Sequence, residues 1–242
     1  MIEVNNYGVV RVLKISRAHR RNALDETTIV QFREAIREAN NDANLRALVI
    51  TGEGELAFCS GSDMKAAQEM TTDERIAHAQ HGQELMEELN NIDLLTIAAV
   101  EGYALGGGFE LALVCDLIVS SETGTFGLPE VQRSALPAWG GTYRTTKAIG
   151  LSLAKNMLLG SRFYTATEGY NLGFIYEVCQ PSQACERSVQ LALEIASKSK
   201  REVVAEAKKL LNANAYRSAN ESSAAEFEAE KRMSNLDEYG LM

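Results

Sequence analysis

Three consecutive glycines, Gly106 to Gly108, lead straight into an apolar run, Phe109-Glu-Leu-Ala-Leu-Val-Cys115, that carries a single carboxylate, Glu110. Glycine weakens a helix interior, but it lets a backbone turn tightly and approach a ligand closely. At a helix start it also leaves bare main-chain N–H groups pointing outward, reinforced by the positive end of the helix dipole. Two readings fit: a turn that binds an oxyanion, or close packing of a helix on a sheet. The arrangement suits an oxyanion better than it suits a core.

A second informative segment lies upstream, at Ala57-Phe-Cys-Ser-Gly-Ser-Asp-Met-Lys65. It follows Leu48-Val-Ile-Thr-Gly52, which reads as a buried strand running into a glycine-punctuated loop. Three further pieces keep order with these two: Asn22-Ala-Leu24, Phe126-Gly-Leu-Pro-Glu130 and Gly140-Gly-Thr142. In this order and spacing, over roughly residues 8 to 180, the sequence resembles the crotonase (enoyl-CoA hydratase/isomerase) superfamily. The resemblance implies an α/β fold, a crotonase-like spiral of repeated ββα units with a C-terminal helical extension.

Composition bounds what else the chain can be. At 242 residues it is one large domain, or one domain with an appendage. Hydrophobic residues make up 45% and charged residues 24%, the mix of an ordinary globular protein. A net charge of −9 argues against binding a nucleic-acid backbone by bulk charge. The N-terminal residues show neither the basic nor the apolar part of a secretory signal. The longest apolar candidate, from Leu94 onward, is broken by Glu101 and the glycines, so no membrane span is expected. Cys59, Cys115, Cys179 and Cys185 lack paired metal spacing, and reduced thiols are the default. His78 and His81 would share a helix face over 73–90, but no third ligand lies nearby, so a metal site is not expected. The expectation is a cytoplasmic enzyme with no resident cofactor.

Hydrophobic periodicity organises the chain. Residues 9–15 alternate partly like a strand, and 28–39 repeat at helical spacing through Ile29, Phe32, Ile36 and Ala39. Strand-like runs recur at 46–51, 96–100, 116–120 and 175–179 with helical segments between them, the pattern of α/β crossover connections. From Ser182 to the end the chain reads as helices rich in Ala, Glu and Lys. A core over 1–181 and a helical region over 182–242 are therefore expected. By the resemblance, that region packs against neighbouring subunits in a homotrimer or dimer of trimers. Its apolar positions Leu191, Ile195, Val203, Leu210 and Phe227 fit a monomer core equally well. By the same resemblance, relatives usually continue past the point matching Asp237–Met242 with a helical segment ending in basic residues, which can close the nucleotide end of the site.

The resemblance also implies chemistry. Reactions of 2-enoyl thioesters pass through an enolate-like state, with negative charge on the thioester oxygen, and two main-chain N–H donors stabilise it. By position those donors are Ser62 and Gly107. Relatives commonly carry alanine or glycine where Ser62 stands, and a main-chain donor tolerates the change. A nucleophilic Ser62 is the competing idea, but no histidine is locally placed to activate it and the segment is not G-x-S-x-G. Glu110 and Glu130 occupy the positions of the hydratase glutamate pair, one activating water for C3 and the other managing the C2 proton. Glu110 is assigned to the water and Glu130 to C2. Keeping both favours hydration over isomerisation.

By the resemblance, Ala23 and Ser60 fall at substrate positions and Lys65 matches the family's D-x-K lysine; Arg20, Arg21 and Lys65 offer cations for CoA phosphates or are solvated surface charges. Where many hydratases have P-G-x-G-G-T, this chain has Pro137-Ala-Trp-Gly-Gly-Thr142, so Trp139 either lines the acyl pocket or packs beneath the Gly-Gly turn. Three readings stand: an enoyl-CoA hydratase; another enolate reaction such as isomerisation, racemisation or β-dicarbonyl hydrolysis; and a non-catalytic binding protein.

Overall fold

The computed structural model describes residues 1–214 and 217–234, so Asp237–Met242 lies outside the described residues. An antiparallel pair, β1 (Ile2–Tyr7) and β2 (Val10–Ile15), opens the chain, and α1 (Glu26–Asn41) follows. Asp25 starts that helix by accepting the Thr28 N–H at 2.9 Å, and Ile29, Phe32, Ile36 and Ala39 form its buried stripe.

A three-part unit then repeats. Strand β3 (Ala47–Gly52) is followed by the short strand β4 (Ala57–Cys59) and by helices α2 (Met64–Glu69) and α3 (Thr72–Asn90). Strand β5 (Leu95–Val100) is followed by short β6 (Tyr103–Leu105) and α4 (Gly107–Val114). Strand β7 (Leu117–Ser121) is followed by short β8 (Thr125–Gly127) and α5 (Gly141–Leu158). The long strands join one sheet and the short strands another, which is the expected ββα spiral. The chain continues through β9 (Tyr164–Thr165), α6 (Ala166–Leu172), β10 (Glu177–Cys179), α7 (Ala184–Ala196), α8 (Arg201–Asn214) and α9 (Ala219–Met233). The larger sheet runs β1-β2-β3-β5-β7-β10 and the smaller β4-β6-β8-β9.

Every residue of β3 and β5 is buried, as parallel strands covered on both faces must be. One face packs Leu48, Ile50 and Ala98 with Phe32 of α1 and Phe109 of α4. On the other, Val49, Ile97 and Ala99 meet Val189, Leu191 and Ala192 of α7. The helical region expected from residue 182 thus begins inside the hydrophobic core. Leu191 and Ile195 serve the sheet, whereas Phe227 on α9 is 62% exposed. No described helix is long and apolar enough to cross a membrane.

The smaller sheet positions the site. Because β4, β6 and β8 are parallel neighbours, their C-terminal ends share one edge. That edge delivers Ser62 after β4, Gly107 after β6 and Glu130 after β8.

Candidate active site

Gly61 holds φ at +86°, and a Cβ on it would stand 2.7 Å from the Gly107 nitrogen. Only glycine permits that approach, which brings the main chains of Ser62 and Gly107 side by side. The Ser62 segment is clamped from the neighbouring loop: Leu24 donates its N–H to the Gly61 carbonyl at 2.8 Å, and Asp63 donates to the Leu24 carbonyl at 2.9 Å. Buried Asn22 adds bonds from Nδ2 to the carbonyls of Ala57 at 2.7 Å and Glu53 at 3.0 Å. Among the described residues, neither the Ser62 nor the Gly107 N–H donates to a protein acceptor.

Glu110 sits in the first turn of α4 and is 2% exposed. Its Oε1 accepts the main-chain N–H groups of Trp139 at 2.8 Å and Gly141 at 2.6 Å. Burial pushes its carboxyl up to about 7; the Gly141 N–H pulls it back, and nearby Glu130 adds to the rise. Glu130 precedes a short 3-10 turn at Val131–Arg133, and burial raises its carboxyl too. Its Oε2 is buried with no hydrogen-bond partner among the described residues. Its Oε1 lies 2.8 Å from where a Cβ on Gly106 would stand, which places this carboxyl against the glycine turn.

Both glutamates, Ser62 and Gly107 line one cavity of about 220 Å³, closed on its apolar side by Met64, Leu136 and Trp139. Of the two places expected for Trp139, the structure gives the pocket wall, and the ring packs on Gly82 and Gly107 rather than beneath Gly140 and Gly141. Trp139 lines the cavity at 4% exposure, and its ring lies in a slot over Gly82 and Gly107. A Cβ on Gly82 would fall 2.0 Å from its ring nitrogen, and one on Gly107 2.3 Å from its six-membered ring. A larger cleft of about 650 Å³ lies between α5 and α8, but neither glutamate lines it. Its polar floor is engaged structurally, with Lys208 paired to Asp116 at 2.8 Å.

Of the other sequence-derived candidates, Arg20, Arg21, Ala23 and Ser60 gather beside the Ser62 loop and off the cavity wall. Ser60 donates its N–H to the Arg21 carbonyl at 3.1 Å, and Ala23 donates to the Arg20 carbonyl at 3.1 Å. Lys65 is exposed at the start of α2 and also off the wall.

One expectation is overturned. A histidine does reach Ser62: His78 Nε2 lies 2.8 Å from Ser62 Oγ. Only Met70 and Thr71 separate α2 from α3, so the chain doubles back and swings His78 over the loop it left sixteen residues earlier. His78 Nδ1 in turn lies 3.2 Å from Glu26 Oε2, and His81 Nδ1 lies 2.5 Å from Glu26 Oε1. The i, i+3 spacing of the histidines marked this face, but nothing in the sequence linked it to Glu26 at the start of α1.

Comparison with known proteins gives the family and the fold. Residues 5–239 match the enoyl-CoA hydratase/isomerase family. The chain belongs to that family. This enoyl-CoA hydratase/isomerase family member is 33% identical over 201 residues to a short-chain-enoyl-CoA hydratase of Clostridium acetobutylicum, covering 81% of this chain and 77% of that protein. It is 34% identical over 195 residues to the mitochondrial methylglutaconyl-CoA hydratase of Homo sapiens, covering 81% of this chain but only 57% of that protein. Its fold superposes on the crystal structure of an enoyl-CoA hydratase from Bacillus anthracis with a TM-score of 0.94 at 27% identity, covering 98% of this chain and 92% of that one. The crotonase resemblance and the α/β spiral both hold.

Proposed function

We propose that this protein adds water across the 2,3-double bond of an enoyl-CoA thioester. One observation carries the reading: buried Glu110 and half-buried Glu130, both with raised carboxyl pKa, share a cavity with Ser62 and Gly107, whose main-chain N–H groups meet no protein acceptor among the described residues. The thioester oxygen takes hydrogen bonds from the Ser62 and Gly107 N–H groups. Charge then builds on that oxygen as the enolate forms, and each such donor typically lowers the barrier by roughly 2.7–4 kcal/mol.

Glu110, with its carboxyl at about 7, has both protonation states available at neutral pH, as a group that takes and returns a proton requires. Its Oε1 is held by two N–H groups, which leaves Oε2 to act on a water aimed at C3. Glu130, with its unpartnered Oε2, delivers the proton to C2. Proton, hydroxide and double bond balance with water as the only co-reactant, so the reaction as written draws on no metal or redox cofactor.

The reading is supported by the intact glutamate pair and by the hydratases among the relatives. The direct test is conversion of crotonyl-CoA, with and without chelator, followed as loss of enoyl absorbance and by chromatography of the product. Appearance of 3-hydroxybutyryl-CoA unaffected by chelator is the expected result. A shifted double bond in place of a hydroxyl would make the enzyme an isomerase.

A further inference from the structure

Ser62, His78 and Glu26 stand in one hydrogen-bonded line, Oγ to Nε2 at 2.8 Å and Nδ1 to carboxylate at 3.2 Å. An ionised carboxylate only accepts hydrogen bonds. Glu26 receives both His78 Nδ1 and His81 Nδ1, so each of those nitrogens carries its proton. In neutral His78 the Nε2 lone pair is then the acceptor, and the Ser62 hydroxyl must donate to it. That is the tautomer a general base needs toward a hydroxyl nucleophile. The imidazole is fixed further by burial at 6% exposure and by the edge of the Trp139 ring, whose centroid is 5.8 Å away.

The position of Ser62 adds a second, independent observation. Its own N–H and that of Gly107 have no protein acceptor among the described residues, and both residues line the cavity. In serine acyl-transfer enzymes the nucleophile's own N–H likewise forms part of the oxyanion hole. A carbonyl held by these donors presents its carbon to the Ser62 hydroxyl, and both Ser62 and His78 line the cavity.

We propose that Ser62, His78 and Glu26 give this site a second activity, hydrolysis of acyl thioesters through an acyl-serine intermediate. This rests on the reading that the cavity receives an acyl-CoA. Ser62 Oγ attacks the thioester carbon while its proton passes to His78 Nε2, and Ser62 and Gly107 hold the resulting oxyanion. The carbon–sulfur bond breaks, and the CoA thiolate leaves with the proton from His78. Water then attacks the ester, giving a proton to His78, and the carboxylic acid departs as that proton returns to Ser62 Oγ. Glu26 is a positioning residue that keeps His78 in the required tautomer.

The test uses butyryl-CoA, which has no double bond to hydrate. Free CoA is quantified by chromatography, the intact protein is weighed for a butyryl adduct, and binding is measured by calorimetry. The wild-type protein is expected to release CoA above a protein-free blank. Ser62→Ala and His78→Gln are expected to lower that release by ~10²-fold or more. Any adduct should map to the Ser62 peptide. Nitrogen-15 NMR should show His78 protonated on Nδ1 in the wild type and shifted toward Nε2 in Glu26→Gln.

Wild-type protein that binds butyryl-CoA and hydrates crotonyl-CoA, yet releases no CoA and forms no adduct, overturns this inference and leaves the hydratase reading intact. Release at the wild-type rate by Ser62→Ala also overturns it. Failure to bind any acyl-CoA overturns both. The wild-type measurements decide the matter even if a variant fails to fold.

Discussion

Trp139 donates its main-chain N–H to Glu110 Oε1 at 2.8 Å while its ring walls the cavity that Glu110 faces. One residue thus orients the acid and shapes the space in front of it. The Pro137–Gly141 loop can do both because Gly141 donates to the same oxygen at 2.6 Å. Two N–H groups on one carboxyl oxygen fix its rotamer and leave the other oxygen for chemistry.

Glu110→Gln is expected to make the protein more stable at high pH. The Glu110 carboxyl titrates at about 7 when folded, against an ordinary value of 4.5. Between those values the folded protein holds a proton that the unfolded chain has released. Stability from this group is therefore full at low pH and is lost as pH rises through 7. The loss is on the order of 3 kcal/mol by pH 8. Glutamine keeps an oxygen for both N–H donors and carries no charge. Thermal melts at pH 4 and pH 8 should show the variant gaining on wild type at the higher pH; a variant weaker than wild type at pH 8 contradicts the burial argument.

Gly82→Ala should disturb the acyl pocket from behind. The added methyl would stand 2.0 Å from the Trp139 ring nitrogen, so the indole must move into the cavity or strain its helix. Overpacking of this kind costs about 1–3 kcal/mol. The KM for six- and eight-carbon enoyl-CoA substrates is expected to rise more than that for crotonyl-CoA. Trp139→Phe should do the opposite, and unchanged chain-length preference in both variants would remove Trp139 as the gauge of acyl length.

Leu151 and Leu159 on and just after α5, Leu211 on α8 and Phe227 on α9 are 59%, 63%, 74% and 62% exposed. Large apolar side chains left open on three helices suit burial against other copies of the chain. Light scattering at micromolar concentration should report a trimer or a dimer of trimers. A monomer under those conditions contradicts this.

Different features of the chain were legible to different degrees. Long strands such as β3 and β5 announce themselves as runs that are apolar apart from Thr51 and Thr96, and α1 as a 3.6-residue stripe. The short strands β4, β6 and β8, with three residues each, are too brief to show alternation; their motif resemblance pointed to the functional segments, but their mutual pairing became visible only in the structure. Helix α7 reads as an amphipathic helix, and amphipathicity names the apolar face without naming its partner, which proves to be the main sheet. The same limit hid the Ser62–His78–Glu26 line. His78 and Glu26 are 52 positions apart, and only the packing of α3 on α1 brings them together.

The most direct test of the glutamate chemistry is hydration of crotonyl-CoA in deuterated water by wild type, Glu110→Gln and Glu130→Gln. Wild type is expected to yield 3-hydroxybutyryl-CoA with deuterium at C2. Each glutamine variant should lower kcat by ~10²–10⁴-fold, the usual contribution of a positioned acid or base. Hydration at the wild-type rate by either variant would contradict the paired-glutamate mechanism.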